Sequence, residues 1–374
     1  MSFFTTVPSY IKYVYKLTGV LQFSVENTFW SRLWCLPFYI GFLCLATYFN
    51  LVSPHRINDI LEYMNYFGNF GNIVYTSTSI ILFCIRSNKI KLLLTKLDNM
   101  VLSTVLVTSS RSKRRFNWRG TLLFLCFLVN FSLNSYSKLS APYMMYIWIP
   151  EIIYSSDTLF LADILNYFGD KFESINRNLQ RQVDAVDLFS IFPLTNPDKI
   201  KILEEDDINF NIQRIQELSH FHYELVSTAV KIGEIFGITI VMTLILWFES
   251  IIETIYYIIY VTINDEDNTL VNYAYHGSYV MFMFCWLFVL VTSFSDVQNK
   301  ANATSTYVHD IWNKYALTGK INVKTRHLQL VSTRLLNTKL HFTAMDFFSL
   351  DWTLYHMLIA AVTTYVVILI QFHI

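Results

Sequence analysis

The chain has 374 residues, 28 Lys and Arg against 28 Asp and Glu, and is 53% hydrophobic and 15% charged, with a mean hydropathy of +0.37. A soluble domain averages roughly one quarter charged residues, so this composition excludes an ordinary soluble fold and sends the apolar excess toward lipid. Zero net charge excludes a global field that would gather nucleic acid, and makes the placement of charges along the chain the informative quantity.

Residues 1–16 lack the short apolar run and small-residue cleavage site of a removable signal peptide, so the first spanning helix is expected to direct insertion. A helix needs about 20 mostly apolar residues to cross a bilayer. Seven segments approach that requirement: 31–52, 68–85, 120–136, 143–165, 232–261, 273–294 and 351–370. The fourth carries Pro150, Glu151, Asp157 and Asp163 and the third is short, whereas the last three are long and nearly uninterrupted. The fold class is therefore all-α, a polytopic membrane protein of seven transmembrane helices.

Between the fourth and fifth spans, residues 166–231 are too polar for the membrane yet keep a helical pattern, with Phe168, Phe172 and Ile175 on one face and Phe210, Ile215, Leu218 and Leu225 on another. Helical extensions of the two spans are expected to meet as a hairpin at the turn signals Phe192, Pro193, Asn196 and Pro197. Lys and Arg cluster in alternate connections, nine of them between spans two and three including Arg111, Lys113, Arg114 and Arg115, leaving only Arg56 and Lys138 for the other side. By the positive-inside rule the N-terminus is cytoplasmic and Ile374 extracellular. The chain then divides into 1–165 (N-terminal segment and helices one to four), 166–231 (cytoplasmic hairpin), 232–294 (helices five and six), 295–350 (cytoplasmic anchor region) and 351–374 (helix seven).

Glu249 and Glu253 stand one turn apart within span five. A carboxylate in a membrane helix faces a cavity or a partner, which makes both candidates for ligand contact, with a hydrogen bond to a neighbouring Tyr or Ser, or snorkelling to the interface, as the structural alternative. Tyr75, Trp148, Trp247, Tyr256, Tyr279 and Trp286 are candidate aromatic walls taken as a set, since any one aromatic is more often core. His220 and His222 point to opposite sides of a helix, so His220, His222 and Glu224 read as solvated surface and not as a metal site. The five cysteines sit in or at the ends of apolar segments, which indicates neither a disulfide framework nor zinc. Asn302, Ala303 and Thr304 form a glycosylation sequon on the side assigned to the cytoplasm, where it should stay unmodified. Zinc-protease, phosphate-loop and nucleophile-elbow motifs are all missing, so no enzyme and no cofactor is expected.

The final span ends Thr364, Tyr365, five hydrophobic residues, Gln371, Phe372, and is preceded by Phe347, Phe348, Ser349, Leu350 and Asp351. This pattern resembles the signature of insect gustatory receptors, although Asp346 stands where many members have Gly. The resemblance implies a homotetrameric, ligand-gated, non-selective cation channel of the plasma membrane of chemosensory neurons, taking a small-molecule tastant, passing cations and sitting in lipid, alone or with related subunits. It implies that each seventh helix lines a central pore with Ile368, Gln371 and Phe372 at the gate, and that the ligand pocket lies in the outer half among spans two to six. Without the resemblance, Gln371 and Phe372 would read as interfacial anchors. Sugar receptors of this family typically have Glu after Thr-Tyr, where this chain has Val366, so a bitter or plant-secondary compound is expected ahead of a fructose-type ligand. A G-protein-coupled receptor would need the opposite orientation, and a secondary transporter would need paired broken helices in two halves.

Overall fold

The structure is a computed structural model that describes residues 40–42, 44, 45, 48, 60–103, 118–135, 141–191, 197–264, 270–317 and 323–373. Most of the first expected span, the run 111–115, the turn residues 192–196 and Ile374 lie outside them. In chain order the helices are α1 (Ile60–Ser103), α2 (Trp118–Ser135), α3 (Ala141–Ile191), α4 (Pro197–Asn264), α5 (Leu270–Leu317) and α6 (Val323–Asn337). After α6 come the strands β1 (Thr343–Ala344) and β2 (Phe348–Ser349), and then α7 (Trp352–His373).

At 68 residues α4 is a rod roughly 100 Å long, about three times the thickness of a bilayer's hydrocarbon core, so most of its length must project beyond any membrane it crosses. Within it residues Ile212–Ile263 are apolar enough for a span, as are α5 and residues Trp352–Gln371 of α7, while α2 contains a shorter apolar stretch. The α3 helix runs unbroken through Pro150. A proline early in a long helix removes one backbone bond but leaves the rest of the ladder to hold the axis.

The core follows the helical patterning of the sequence. Phe168, Phe172 and Ile175 of α3 are fully buried, as are Ile215 and Leu225 of α4, and α5 adds Val297, Ala301 and Val308. The α5 helix packs against α2, α3, α4, α6 and α7, which makes it the central post, while α1 lies along α4. That approach is close because Gly71 is small: a Cβ there would fall 2.7 Å from Leu246 Cδ2.

Ahead of α7 the chain departs from pure helix. β1 and β2 pair antiparallel, Thr343 opposite Ser349 and Ala344 opposite Phe348, around a turn in which Met345 and Asp346 both have positive φ, 51° and 60°. The hairpin rests on two glycines of α4. Phe342 lies against Gly233 and Met345 against Gly237, where added Cβ atoms would meet them at 3.0 and 3.1 Å. From α5, Gln298 Nε2 donates to Leu350 O (3.0 Å), and the Asn302 amide is engaged at both ends, accepting from Leu340 N (2.8 Å) and donating to Leu340 O (3.2 Å). The sequon asparagine is thus part of the clamp that holds the hairpin.

His222 corrects the expectation of solvated surface. It is buried, its ring edge-on to Phe172, with Nε2 bonded to Ala301 O at 3.0 Å and Nδ1 unpartnered. Burial pushes its pKa down to about 4, against a smaller opposing effect of the Ala301 bond. His220 is exposed and Glu224 bridges to Lys96 at 2.9 Å.

Candidate functional site

A polar and aromatic cluster fills the space between α1, α3, α4 and α5. From α3, Glu151, Tyr154, Thr158 and Leu161 follow one another at spacings of three and four residues, which aligns them on one face. Tyr154 edges onto Tyr75 of α1 (6.3 Å between ring centres) and onto Trp286 of α5 (6.0 Å). Trp247 of α4 donates its indole N–H to Met283 O at 2.8 Å, which fixes the ring across the α4 and α5 seam.

Two small cavities adjoin here, sharing Thr243 and Trp286 in their walls. The first also meets Asp157, Thr158 and Phe236, the second Tyr154, Trp247 and Ser250. Each is small, with room for about one water. The Trp286 indole N–H has no hydrogen-bond partner although the ring is buried.

Below the cavities lies a charged pair that the span-by-span sequence reading left apart. Asp157 accepts from Tyr75 Oη at 3.1 Å and feels the charge of Arg86. Arg86 donates to Thr239 Oγ1 at 2.5 Å and to Ile235 O at 3.3 Å, with its guanidinium 4.8 Å from the centre of the Phe236 ring. A buried charge needs an opposite charge and hydrogen bonds, and Arg86 has Thr239 and Ile235 as acceptors and lies within electrostatic reach of Asp157. Arg119 is similarly buried, ion-paired with Asp296 and bonded to Asn166 Oδ1 (2.6 Å) and Ser293 Oγ (3.2 Å). Neither arginine is a solvated topology marker.

The structure brings together Tyr75, Trp247 and Trp286 of the expected aromatic set, and Tyr279 adjoins them as an electrostatic neighbour of Glu151. Trp148 is buried but packs sideways on Phe127 and Phe131 of α2 (5.0 and 5.9 Å), away from the cavities. Tyr256 is buried farther along α4. Glu249 and Glu253 lie close enough to influence one another, and the Glu249 carboxylate abuts Gly68 of α1, where a Cβ would meet Oε1 at 2.5 Å. Sequence reasoning missed Glu151, Tyr154, Asp157 and Arg86 as members. The stripe on α3 was readable, whereas the partners across 71 residues of chain were not.

On α7, Leu354, Val362 and Val366 are buried against the bundle. Thr353, Ala360, Thr364 and Gln371 are exposed, and Ile368 is 39% exposed beside them. Tyr365 is half out, its ring 5.5 Å from Phe248. The side chain of Phe372 is outside the described ones. Among the described residues no group of three or more His, Cys, Asp or Glu is placed to hold a metal.

Comparison with known proteins gives a consistent picture. The family model described as 7tm Chemosensory receptor matches residues 9–374. Gustatory receptor 28b of Drosophila melanogaster is 29% identical over 206 residues, covering 52% of this chain and 39% of that protein. Gustatory receptor 2a of the same fly is 52% identical over 42 residues, 11% of this chain and 10% of its own length. The chain thus spans well under half the length of the curated relatives it matches. Among solved structures, the insect olfactory receptor OR5 from Machilis hrabei in complex with eugenol superposes with a TM-score of 0.64, 12% identity and 97% coverage of both chains. A second structure of the same receptor superposes with a TM-score of 0.62. At this identity the likeness concerns the fold.

Proposed function

The chain belongs to the insect gustatory receptor family of 7tm chemosensory receptors and is not an enzyme, and from that premise we propose that it is a ligand-gated, non-selective cation channel. It sits in the plasma membrane of chemosensory neurons, with seven spans, the N-terminus inside and the C-terminus outside. Residues 166–231 and 295–350 form its cytoplasmic hairpin and anchor, and four copies surround one axis, alone or with related subunits.

The supporting observation is the amphipathic layout of α7. Only 17% of its apolar window is buried within the chain, against 56% and 67% for the spans of α4 and α5. At about 100° per residue, the exposed Thr353, Ala360, Thr364 and Gln371 fall within about 40° of arc, opposite the packed Val362 and Val366. A row of hydroxyls and an amide pointing at hydrocarbon gains nothing, whereas the same row around a water-filled axis faces solvent. Ile368 flanks that row and supplies an apolar ring able to block ions by dewetting; with Gln371 and Phe372 it forms the gate.

The ligand enters the α1, α3, α4 and α5 cluster from the outer side. Its walls are rings and carboxyls, and Val366 replaces the Glu of the sugar-receptor pattern, which favours a bitter or plant-secondary compound. The test is whole-cell current from cells expressing this chain, across sugars and plant alkaloids, with Gln371→Ala, Ile368→Ala and Phe372→Ala alongside. Ligand-evoked cation current whose leak or rectification changes in these variants is the expected result. Second-messenger signals with no current would instead favour G-protein coupling.

A further inference from the structure

Two carboxyls on α3, Glu151 and Asp157, are buried to nearly the same degree, at 4% exposure each. Their surroundings differ. Asp157 is answered by the Arg86 guanidinium. Glu151 has no cation among its described electrostatic neighbours; one contact is the Tyr279 hydroxyl, and its Oε2 has no hydrogen-bond partner. Tyr154 and Tyr279 both feel its charge, each also feels Tyr275, and Trp286 closes the side next to Tyr154 with its indole N–H unpartnered.

A buried carboxyl with tyrosine neighbours, and with no cation among its described electrostatic neighbours, is the chemical complement of an organic ammonium. The ring faces attract a cation by their quadrupoles, and the carboxylate supplies the counter-charge that water would otherwise provide. Glu151 also continues the α3 face whose Tyr154, Thr158 and Leu161 wall the two cavities, so a ligand held there at its charged end extends its body toward Trp247 and Trp286. Each cavity takes only a water-sized group, so a substituted ammonium head and its apolar body enter as the rings part.

We propose that Glu151, framed by Tyr154, Tyr275, Tyr279 and Trp286, recognises the ammonium group of a protonated organic amine as the activating ligand. This rests on the ligand-gated reading above, and the experiment separates the two. The purified full chain in detergent is titrated with N,N-dimethyl-2-phenylethylamine, its permanently charged trimethylammonium analogue and its neutral carbon isostere 3-methylbutylbenzene, reading melting temperature and ligand fluorescence quenching. The same compounds are applied to expressing cells while current is recorded.

Both cations are expected to raise the melting temperature and the isostere to leave it unchanged, with at least tenfold weaker cation binding in Glu151→Gln and partial recovery in Glu151→Asp. Equal binding of amine and isostere, or undiminished cation binding in Glu151→Gln, overturns the proposal. Should Glu151→Gln not fold, the comparison of the three compounds on the unaltered chain decides alone. Cation binding that depends on Glu151 with no current leaves the recognition standing and removes the channel reading. Currents evoked by sugars or neutral compounds, with neither cation binding, do the reverse.

Discussion

Met345, in the turn of the hairpin that leads into α7, sits directly on Gly237 of α4, so close that a Cβ on the glycine would lie 3.1 Å from Met345 Cγ and 3.5 Å from its backbone nitrogen. The glycine is there because the neighbour needs the space. Gly237→Leu is expected to lower stability by roughly 1–3 kcal/mol, the usual cost of overpacking. Gly237→Ala should be tolerated by a small shift of the flexible methionine. Thermal unfolding of the detergent-solubilised protein distinguishes them, and a loss in the alanine variant as large as in the leucine variant would show that backbone, and not the Met345 side chain, fills the site.

The turn itself holds two non-glycine residues in the left-handed region. For L-residues this conformation costs about 1–2 kcal/mol, least for Asp and Asn. Asp346 recovers part of the cost by accepting a hydrogen bond from Thr343 Oγ1 at 2.9 Å. Replacing Asp346 by Gly, the residue common in the family, trades that bond for backbone freedom and should be near neutral, within about 0.5 kcal/mol. Asp346→Ala loses the bond and keeps the strain, and is expected to cost about 1 kcal/mol or more in the same melt.

Arg86 and Asp157 should behave as one unit. Removing one charge leaves the other buried, which typically costs about 3–5 kcal/mol, so Asp157→Ala and Arg86→Met should each be severe. The double variant should be far less damaged than the sum of the two. Additive losses in melting temperature or surface expression would show that the two groups do not interact across the bundle.

His222 gives the protein an acid limit. Its folded pKa is about 4, below the ordinary 6.5, because the ring is buried neutral with Nδ1 unpartnered. Between pH 6.5 and 4 the unfolded chain takes up a proton that the folded chain refuses. The stabilisation is complete above pH 6.5 and is lost as pH falls through that window, by on the order of 3 kcal/mol for a shift of this size. His222→Gln, whose amide can still donate to Ala301 O, should flatten this dependence between pH 7 and 5 in thermal unfolding; an unchanged slope would assign the acid sensitivity to other groups.

The long apolar spans and the buried faces of the more polar helical stretch 166–231 were legible because both are written in local periodicity. Phe168, Phe172 and Ile175 face inward because residues three and four apart share a side of a helix. Arg86 and Arg119 were not legible. Counted along the chain they look like any other basic residues in a loop, and only the meeting of α1 with α4, or of α2 with α3 and α5, reveals that each is buried and bonded to acceptors on another helix. Trp148 shows the converse error, since a tryptophan at the right depth turned toward α2 instead of the cavities. Depth is set by sequence position, but azimuth is set by tertiary packing. The hairpin before α7 also escaped, because strands of two residues and left-handed turns at Met345 and Asp346 leave no pattern long enough to read.

The continuity of α4 has a mechanical meaning. Trp247, in the cavity wall, and Gly237, under the hairpin, are ten residues apart on the same helix, about 15 Å along its axis. No proline and no break in helix assignment lies between them. A ligand entering beside Trp247, as proposed, would bear on the same rod that touches Met345, and from there six residues, 346–351 with β2 among them, lead to the first turn of α7. The apparatus needs no chain of relayed side chains, because one stiff member bears on both ends.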